Sequence, residues 1–227
     1  KGMASVHDPH FFLKKQLVWL FLSLVVGGVV VLFDYHWWQK LAFPLLGVSV
    51  FLLVVTLIPG LGTEAGGSRR WLHLGPLSFQ PSELGKFATI VGLASWTVRI
   101  GRRIENFREG ILFPMAGLGL VLLLMILEPD FGTTLLTGMV GMLMLFVAGA
   151  RVGYLSGIGV LGGGAFIGAI MMDPVRRGRV LAFLMPEEFP ATAYHLAQSK
   201  IAFIKGGWLG VGLGNSMQKQ FYLPEAH

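Results

Sequence analysis

Residue types able to do acid–base or anion chemistry gather in a few polar stretches of a largely apolar chain of 227 residues. In Gln80-Pro81-Ser82-Glu83-Leu84-Gly85-Lys86 a carboxylate and an ammonium stand three residues apart, so on a helix they share a face and can pair. Pro81 and Ser82 mark the start of that helix, with Ser82 as its expected cap. Ionisable groups at membrane depth are costly and usually face a cavity or a partner. An ordinary first-turn pair in the headgroup zone, with Glu83 favoured by the helix dipole, fits the same residues. In Glu128-Pro129-Asp130-Phe131-Gly132-Thr133-Thr134, Asp130 is placed to cap the helix that follows. Arg69 and Arg70 precede Trp71, and two adjacent guanidinium groups suit a phosphate, whether of bulk phospholipid or of a dedicated anionic ligand. Gln198 and Ser199 could hydrogen-bond a sugar or a phosphate, or form the polar face of an interfacial helix.

Several other chemistries find no support. Gly210-Val211-Gly212-Leu213-Gly214 is superficially like a dinucleotide fingerprint, but no strand precedes it and no βαβ unit surrounds it. His195 and His227 lack carboxylate or Cys partners at metal spacing, so no metal site is expected. Cysteine is absent, which removes disulfide and thiolate chemistry. The net charge of +6 comes from basic residues scattered over loops, where they set topology or meet anionic lipid; nucleic acid is not an expected partner.

The elements that must position these clusters are membrane spans. Hydrophobic residues make up 54% of the chain and charged residues 13%, about half the charge of a soluble domain. Apolar runs of about 20 residues, long enough to cross a hydrocarbon core, follow one another. Six spans are expected, at roughly 16–33, 41–59, 83–98, 111–127, 133–150 and 152–172. Asp34 to Lys40, with Trp37 and Trp38, reads as a turn at headgroup level. Residues 60–82 read as a polar loop rich in turn formers. The third span is marginal because Glu83 and Lys86 fall in its first turn. Glycines at 153, 157, 164 and 168 are spaced for close backbone contact with neighbouring helices. The fold class is therefore all-α and polytopic: a six-span bundle over 1–172, then a long loop over 173–227. In that loop Arg176, Arg177 and Arg179 alternate with apolar residues as in an interfacial amphipathic helix, and AYHLAQSKIAFI forms a second helix.

Orientation follows from alternation. If the arginine-rich segment 99–110 is cytoplasmic, so are 34–40 and Arg151, and the loops 60–82, 128–132 and 173–227 share the opposite face. The chain starts at Lys1 and stops at His227 without a helix-ending signal, which reads as an excerpt of a longer protein.

Taken in order, GSRRWLHLG, FQPSELGKF, EPDFGTT, YHLAQSKIAF and GVGLGNSMQKQFYLPEAH resemble the SEDS family (shape, elongation, division and sporulation) of bacterial cell-wall synthesis. The last segment is more similar to the family's division branch than to its elongation branch. The resemblance implies a ten-helix protein of the cytoplasmic (inner) membrane, of which this chain holds the second to seventh helices and most of the large extracytoplasmic loop. It implies an enzyme, a peptidoglycan glycosyltransferase that polymerises lipid II, at the division septum. The implied partners are lipid II, a class B penicillin-binding protein transpeptidase, other division proteins and membrane lipids. In the family the motif LPEAH is followed by Thr-Asp, and that aspartate is the proposed catalytic residue; it lies beyond His227, so the excerpt alone is expected to be inactive. By the same resemblance Glu83, Lys86 and Asp130 line the cavity near it. On the physical grounds of their charge, Arg69, Arg70 and Lys200 are expected to contact the pyrophosphate, and Leu223, Pro224, Glu225 and His227 are expected to position the aspartate. No cofactor is required, although a divalent cation could screen the pyrophosphate. A lipid II flippase and a non-catalytic division scaffold compete as readings of the same residues.

Overall fold

The computed structural model describes residues 11–59, 62–65, 68–74, 77–212 and 215–218. Among the described residues eight α-helices are formed: α1 (Phe11–Leu32), α2 (Tyr35–Leu57), α3 (Pro81–Ile100), α4 (Phe113–Leu127), α5 (Phe131–Val147), α6 (Val152–Met172), α7 (Pro174–Leu184) and α8 (Pro190–Gly206). The six spans read from hydropathy correspond to α1 to α6, and the two loop helices to α7 and α8. Helices α1, α2 and α6 are long and apolar enough to cross a membrane, as is the helical stretch Phe107–Leu127 that includes α4. The chain is thus a multi-pass α-helical membrane protein. Helix α5 is apolar but shorter, at 17 residues, and α3 carries Glu83, Lys86 and Arg99.

Two compact units are present: Gly27–Leu161, and Lys1–Val26 with Gly162–His227. In the first, α3 packs against α2, α4 and α5. At one end Leu53, Val121, Leu124 and Met125 form a core cluster. At the other, Leu93, Ile100, Ile104, Ile111, Leu145, Ala150 and Leu155 form a second. Gly85 sits where α3 meets α2 and α4; a Cβ there would come within 2.9 Å of Met125 Cε and 3.4 Å of Leu53 Cδ1. In the second unit α7 packs on α8, and Asp173 caps α7 by accepting from the backbone N–H of Val175 and Arg176 at 2.9 and 3.2 Å. The amphipathic segment is therefore a helix, as its alternation implies.

Three expectations change. Residues 35–40 are not a turn: Asp34 accepts from the His36 backbone N–H at 2.9 Å and caps α2, which takes in Trp37 and Trp38. A single good cap is enough to start the helix six residues before the apolar run. Residues 60–82 are not a plain loop either. They hold an antiparallel sheet in the order β1 (Thr63–Ala65), β2 (Ser68–Leu74), β3 (Leu77–Phe79). Ala65 pairs with Ser68 and Leu74 with Leu77. Finally, a Cβ at Gly153, Gly157, Gly164 or Gly168 would meet nothing within 4 Å among the described residues.

Between α3 and α4 the chain makes a 3-10 turn over Gly101–Glu105 and a π-helical turn over Phe107–Leu112. In a π-turn the carbonyl of Glu109 would bond the N–H five residues on. That residue is Pro114, which has none. The indole N–H of Trp96 on α3 donates to this carbonyl instead, at 2.8 Å. Gly110 lies so close to Ile104 that any Cβ would overlap its carbonyl oxygen.

Candidate functional site

The ends of α2 and α4 and the starts of α3 and α5 meet at one end of the first unit, where two of the three predicted loops come together. Asp130 is their common point. It is 5% exposed, yet its carboxylate is fully engaged. Oδ1 caps α5 by accepting from the Thr133 backbone N–H at 3.3 Å. Oδ2 accepts from Gln80 Nε2 at 3.0 Å and from Ser82 Oγ at 3.3 Å. Arg70, on β2, brings a guanidinium nitrogen to 3.7 Å from Oδ1. One carboxylate so ties three elements together, accepting three hydrogen bonds and facing one guanidinium.

The expected cap therefore moves. Gln80, not Ser82, is the N-cap residue of α3, Pro81 occupies the first turn, and no side chain caps the helix. The buried Ser82 hydroxyl instead faces Asp130, because a carboxylate is a stronger acceptor than anything in its own turn.

Glu83 and Lys86 pair as their spacing implies, with Lys86 Nζ donating to Glu83 Oε1 at 2.8 Å. Their side chains are 56% and 25% exposed. An ion pair this open to its surroundings contributes little to stability, about 0–1 kcal/mol, so the fold does not depend on it. Lys86 stands at the head of a shallow apolar groove between α3 and α5, lined also by Ile90, Leu93, Leu136, Val140 and Met144.

Arg70 is one-third exposed, and its buried Nε has no partner among the described residues. Its neighbour Arg69 lies on β2, but its side chain falls outside the described residues, as do Glu225 and His227 altogether. Gln198, Ser199 and Lys200 lie on α8 in the second unit. The Ser199 hydroxyl donates to the His195 carbonyl one turn back, at 2.8 Å.

Two residues that the sequence did not single out complete the cluster from behind. Glu128, directly after α4, is completely buried. Oε1 is hydrogen-bonded to the hydroxyl of Thr56, itself buried in the last turn of α2, and Oε2 has no partner. Thr56 also donates to the Leu53 carbonyl at 2.7 Å. Burial pushes the Glu128 carboxyl up to about 7; the Thr56 hydrogen bond and Arg70 act against that, while the negative charge of Asp130 adds to it. The available signal was an acid placed immediately after an apolar span and fixed there by Pro129.

The arrangement offers an amine and a carboxylate in contact, a guanidinium held by a buried anion, and an apolar groove leading away from the amine. It suits a ligand with an anionic head and an apolar tail.

Residues 2–227 match the FtsW/RodA/SpoVE model, described as cell cycle protein. A protein of Legionella pneumophila named "Probable peptidoglycan glycosyltransferase FtsW" is 43% identical over 222 residues, covering 97% of this chain and 56% of that protein. A protein of the same name from Nitrosococcus halophilus is 42% identical over 97% of this chain and 57% of its own length. The chain thus spans little more than half the length of these relatives. Among solved structures, a chain of a peptidoglycan synthase complex, described as coordinating polymerization and crosslinking, superposes with a TM-score of 0.70 at 32% identity, over 88% of this chain and 59% of that one. The rod shape determining protein RodA of Thermus thermophilus superposes with a TM-score of 0.61 at 25% identity, over 87% and 67%.

Proposed function

From the premise that this chain belongs to the FtsW/RodA/SpoVE family of cell cycle proteins, we propose that the whole protein is a peptidoglycan glycosyltransferase joining lipid II into glycan strands during cell division. The observation that carries the reading is the end of the first unit, where Lys86, paired with Glu83, lines an apolar groove and Arg70 is paired with Asp130. Lipid II is a lipid-linked disaccharide with a pyrophosphate, and that description matches an apolar groove with cations at its head. The names of the relatives support the reading independently.

In this reaction a sugar hydroxyl of one lipid-linked unit attacks the anomeric carbon of another; the hydroxyl proton goes to a base and the lipid pyrophosphate leaves. A base and stabilisation of the departing negative charge are both required. The base is the aspartate that the family pattern places after LPEAH and a threonine. Lys86 and Arg70 supply positive charge for the pyrophosphate. Glu83 holds Lys86 in place until substrate arrives, and Asp130 holds Arg70. Arg69 and Lys200 are further anion contacts, and Gln198 and Ser199 bond sugar or phosphate. Glu225 and His227 position the base. The site lies on the outer side of the cytoplasmic membrane, and a class B penicillin-binding protein cross-links the product at the septum together with other division proteins. A divalent cation screening the pyrophosphate is compatible with this chemistry.

The test is the purified full-length protein with lipid II in detergent or liposomes. Glycan polymer supports the reading. Movement of lipid II across the bilayer without polymer replaces it with a flippase, and neither activity replaces it with a scaffold.

A further inference from the structure

We propose that Glu128 works as a neutral carboxylic acid, a positioning residue whose proton is donated to Thr56 and whose bond locks the α4–α5 turn, and with it Asp130, against the end of α2. A threonine hydroxyl has one proton, and that of Thr56 is already directed at the Leu53 carbonyl at 2.7 Å. The same hydroxyl also lies against Glu128 Oε1, and with its single proton on the Leu53 carbonyl that second contact is completed by a proton on the acid. An ionised Glu128 would be a completely buried carboxylate with one oxygen lacking any partner among the described residues, a state of high cost. A protonated one needs a single good hydrogen bond, which Thr56 supplies.

The charged groups around it favour the same state. On its own turn the Asp130 carboxylate opposes a second negative charge two residues away. From β2, Arg70 would favour ionisation, and it is paired with Asp130 at 3.7 Å. From α2 comes Thr56, which does not titrate. On α3, Glu83 and Lys86 neutralise each other at 2.8 Å. The lowered proton affinity needed to ionise Glu128 is therefore absent, and the raised value of about 7 agrees with the geometry.

The role is distinct from that of Asp130. Asp130 works as an anion that collects donors; Glu128, two residues earlier, works as a donor that collects an acceptor. Together they pin the turn on both sides.

This inference rests on the polymerase reading for its activity readout alone, so the test carries a second one. The full-length protein is prepared as wild type, Glu128→Gln, Glu128→Ala and Thr56→Val. Polymer formation from lipid II and thermal unfolding are each followed across the pH range around 7. A glutamine keeps the shape and the donated hydrogen bond at every pH. E128Q is expected to polymerise at the wild-type rate on the acid side and to keep that rate where wild type falls off above about pH 7. E128A is expected to lose about tenfold or more, and Thr56→Val to lower the rate at every pH. In thermal unfolding, E128Q should lack the loss of melting temperature that wild type shows as pH rises from about 4.5 to 7. An E128Q protein that follows the wild-type pH dependence in both readouts overturns the proposal, as does an E128A protein indistinguishable from wild type. If no variant and no wild-type protein makes polymer, the polymerase reading fails, and the unfolding curves still decide the protonation of Glu128.

Discussion

The side-chain amide of Gln80 donates to the carboxylate of Asp130 at 3.0 Å, joining the residue before α3 to the cap of α5 across 50 positions of chain. Ser82 and Arg70 converge on the same carboxylate, so the geometry of this end of the molecule depends on one buried anion.

Replacing that anion should loosen the whole cluster. Asp130→Ala removes a helix cap and leaves Gln80, Ser82 and Arg70 without their acceptor, at an expected cost of about 2–3 kcal/mol. Asp130→Asn retains an acceptor oxygen and should cost less. Thermal unfolding of the full-length protein in detergent measures both, and a D130A protein with a wild-type melting temperature would refute the role.

The Glu83–Lys86 pair should behave in the opposite way. Because it is open to its surroundings, Lys86→Ala and Glu83→Ala should each change stability by less than about 1 kcal/mol. If Lys86 stabilises the leaving pyrophosphate, K86A should lower polymer formation by about a hundredfold or more. Loss of folding, rather than loss of rate, would show the pair to be structural after all.

These residues differ in how readily the sequence revealed them. Glu83, Lys86 and Asp130 were legible because helical spacing and capping are local rules. The span of α6 was legible because hydropathy alone defines it, and its bounds coincide with the expected 152–172. Glu128 was not, since acids at span ends are ordinarily exposed, whereas this one is buried by the fold and bonded to Thr56, 72 positions earlier. The strands were missed for a related reason. Gly66-Gly67 and Gly75-Pro76 are hairpin signals, but a short strand beside strong membrane spans gives a weak alternation. Ser82 shows the reverse error: the local rule predicted a cap, and a carboxylate brought by the fold took the hydroxyl.

Stability should depend on pH through Glu128. Its carboxyl is raised from 4.5 to about 7 in the fold. A raised acid favours the folded state below the unfolded value, and that advantage is lost as pH climbs through the folded one. Wild type should therefore lose stability between about pH 4.5 and 7, by at most about 3 kcal/mol, with no further loss from this group above that. Denaturant titrations at a series of pH values would check it, and a stability that rises over this interval in wild type but not in Glu128→Gln would contradict the sign.

Two glycines should respond unequally to the same methyl group. At Gly85 the obstacle is the mobile end of Met125, so Gly85→Ala should cost about 1 kcal/mol. At Gly110 the obstacle is the Ile104 backbone carbonyl, which cannot swing aside, and Gly110→Ala should cost about 3 kcal/mol. Comparing the two melting temperatures in one background isolates the difference.

The π-turn at Phe107–Leu112 has an effect far from where it lies. Each residue of an α-helix advances the chain by about 100°, so the residue count within that turn sets the rotational phase of all of α4 behind it. Removing one residue there, and with it the wider turn, would rotate the helix by about a quarter-revolution or more. Glu128 would then swing away from Thr56. The aim of the buried acid at one end of the bundle is thus set by arithmetic at the other.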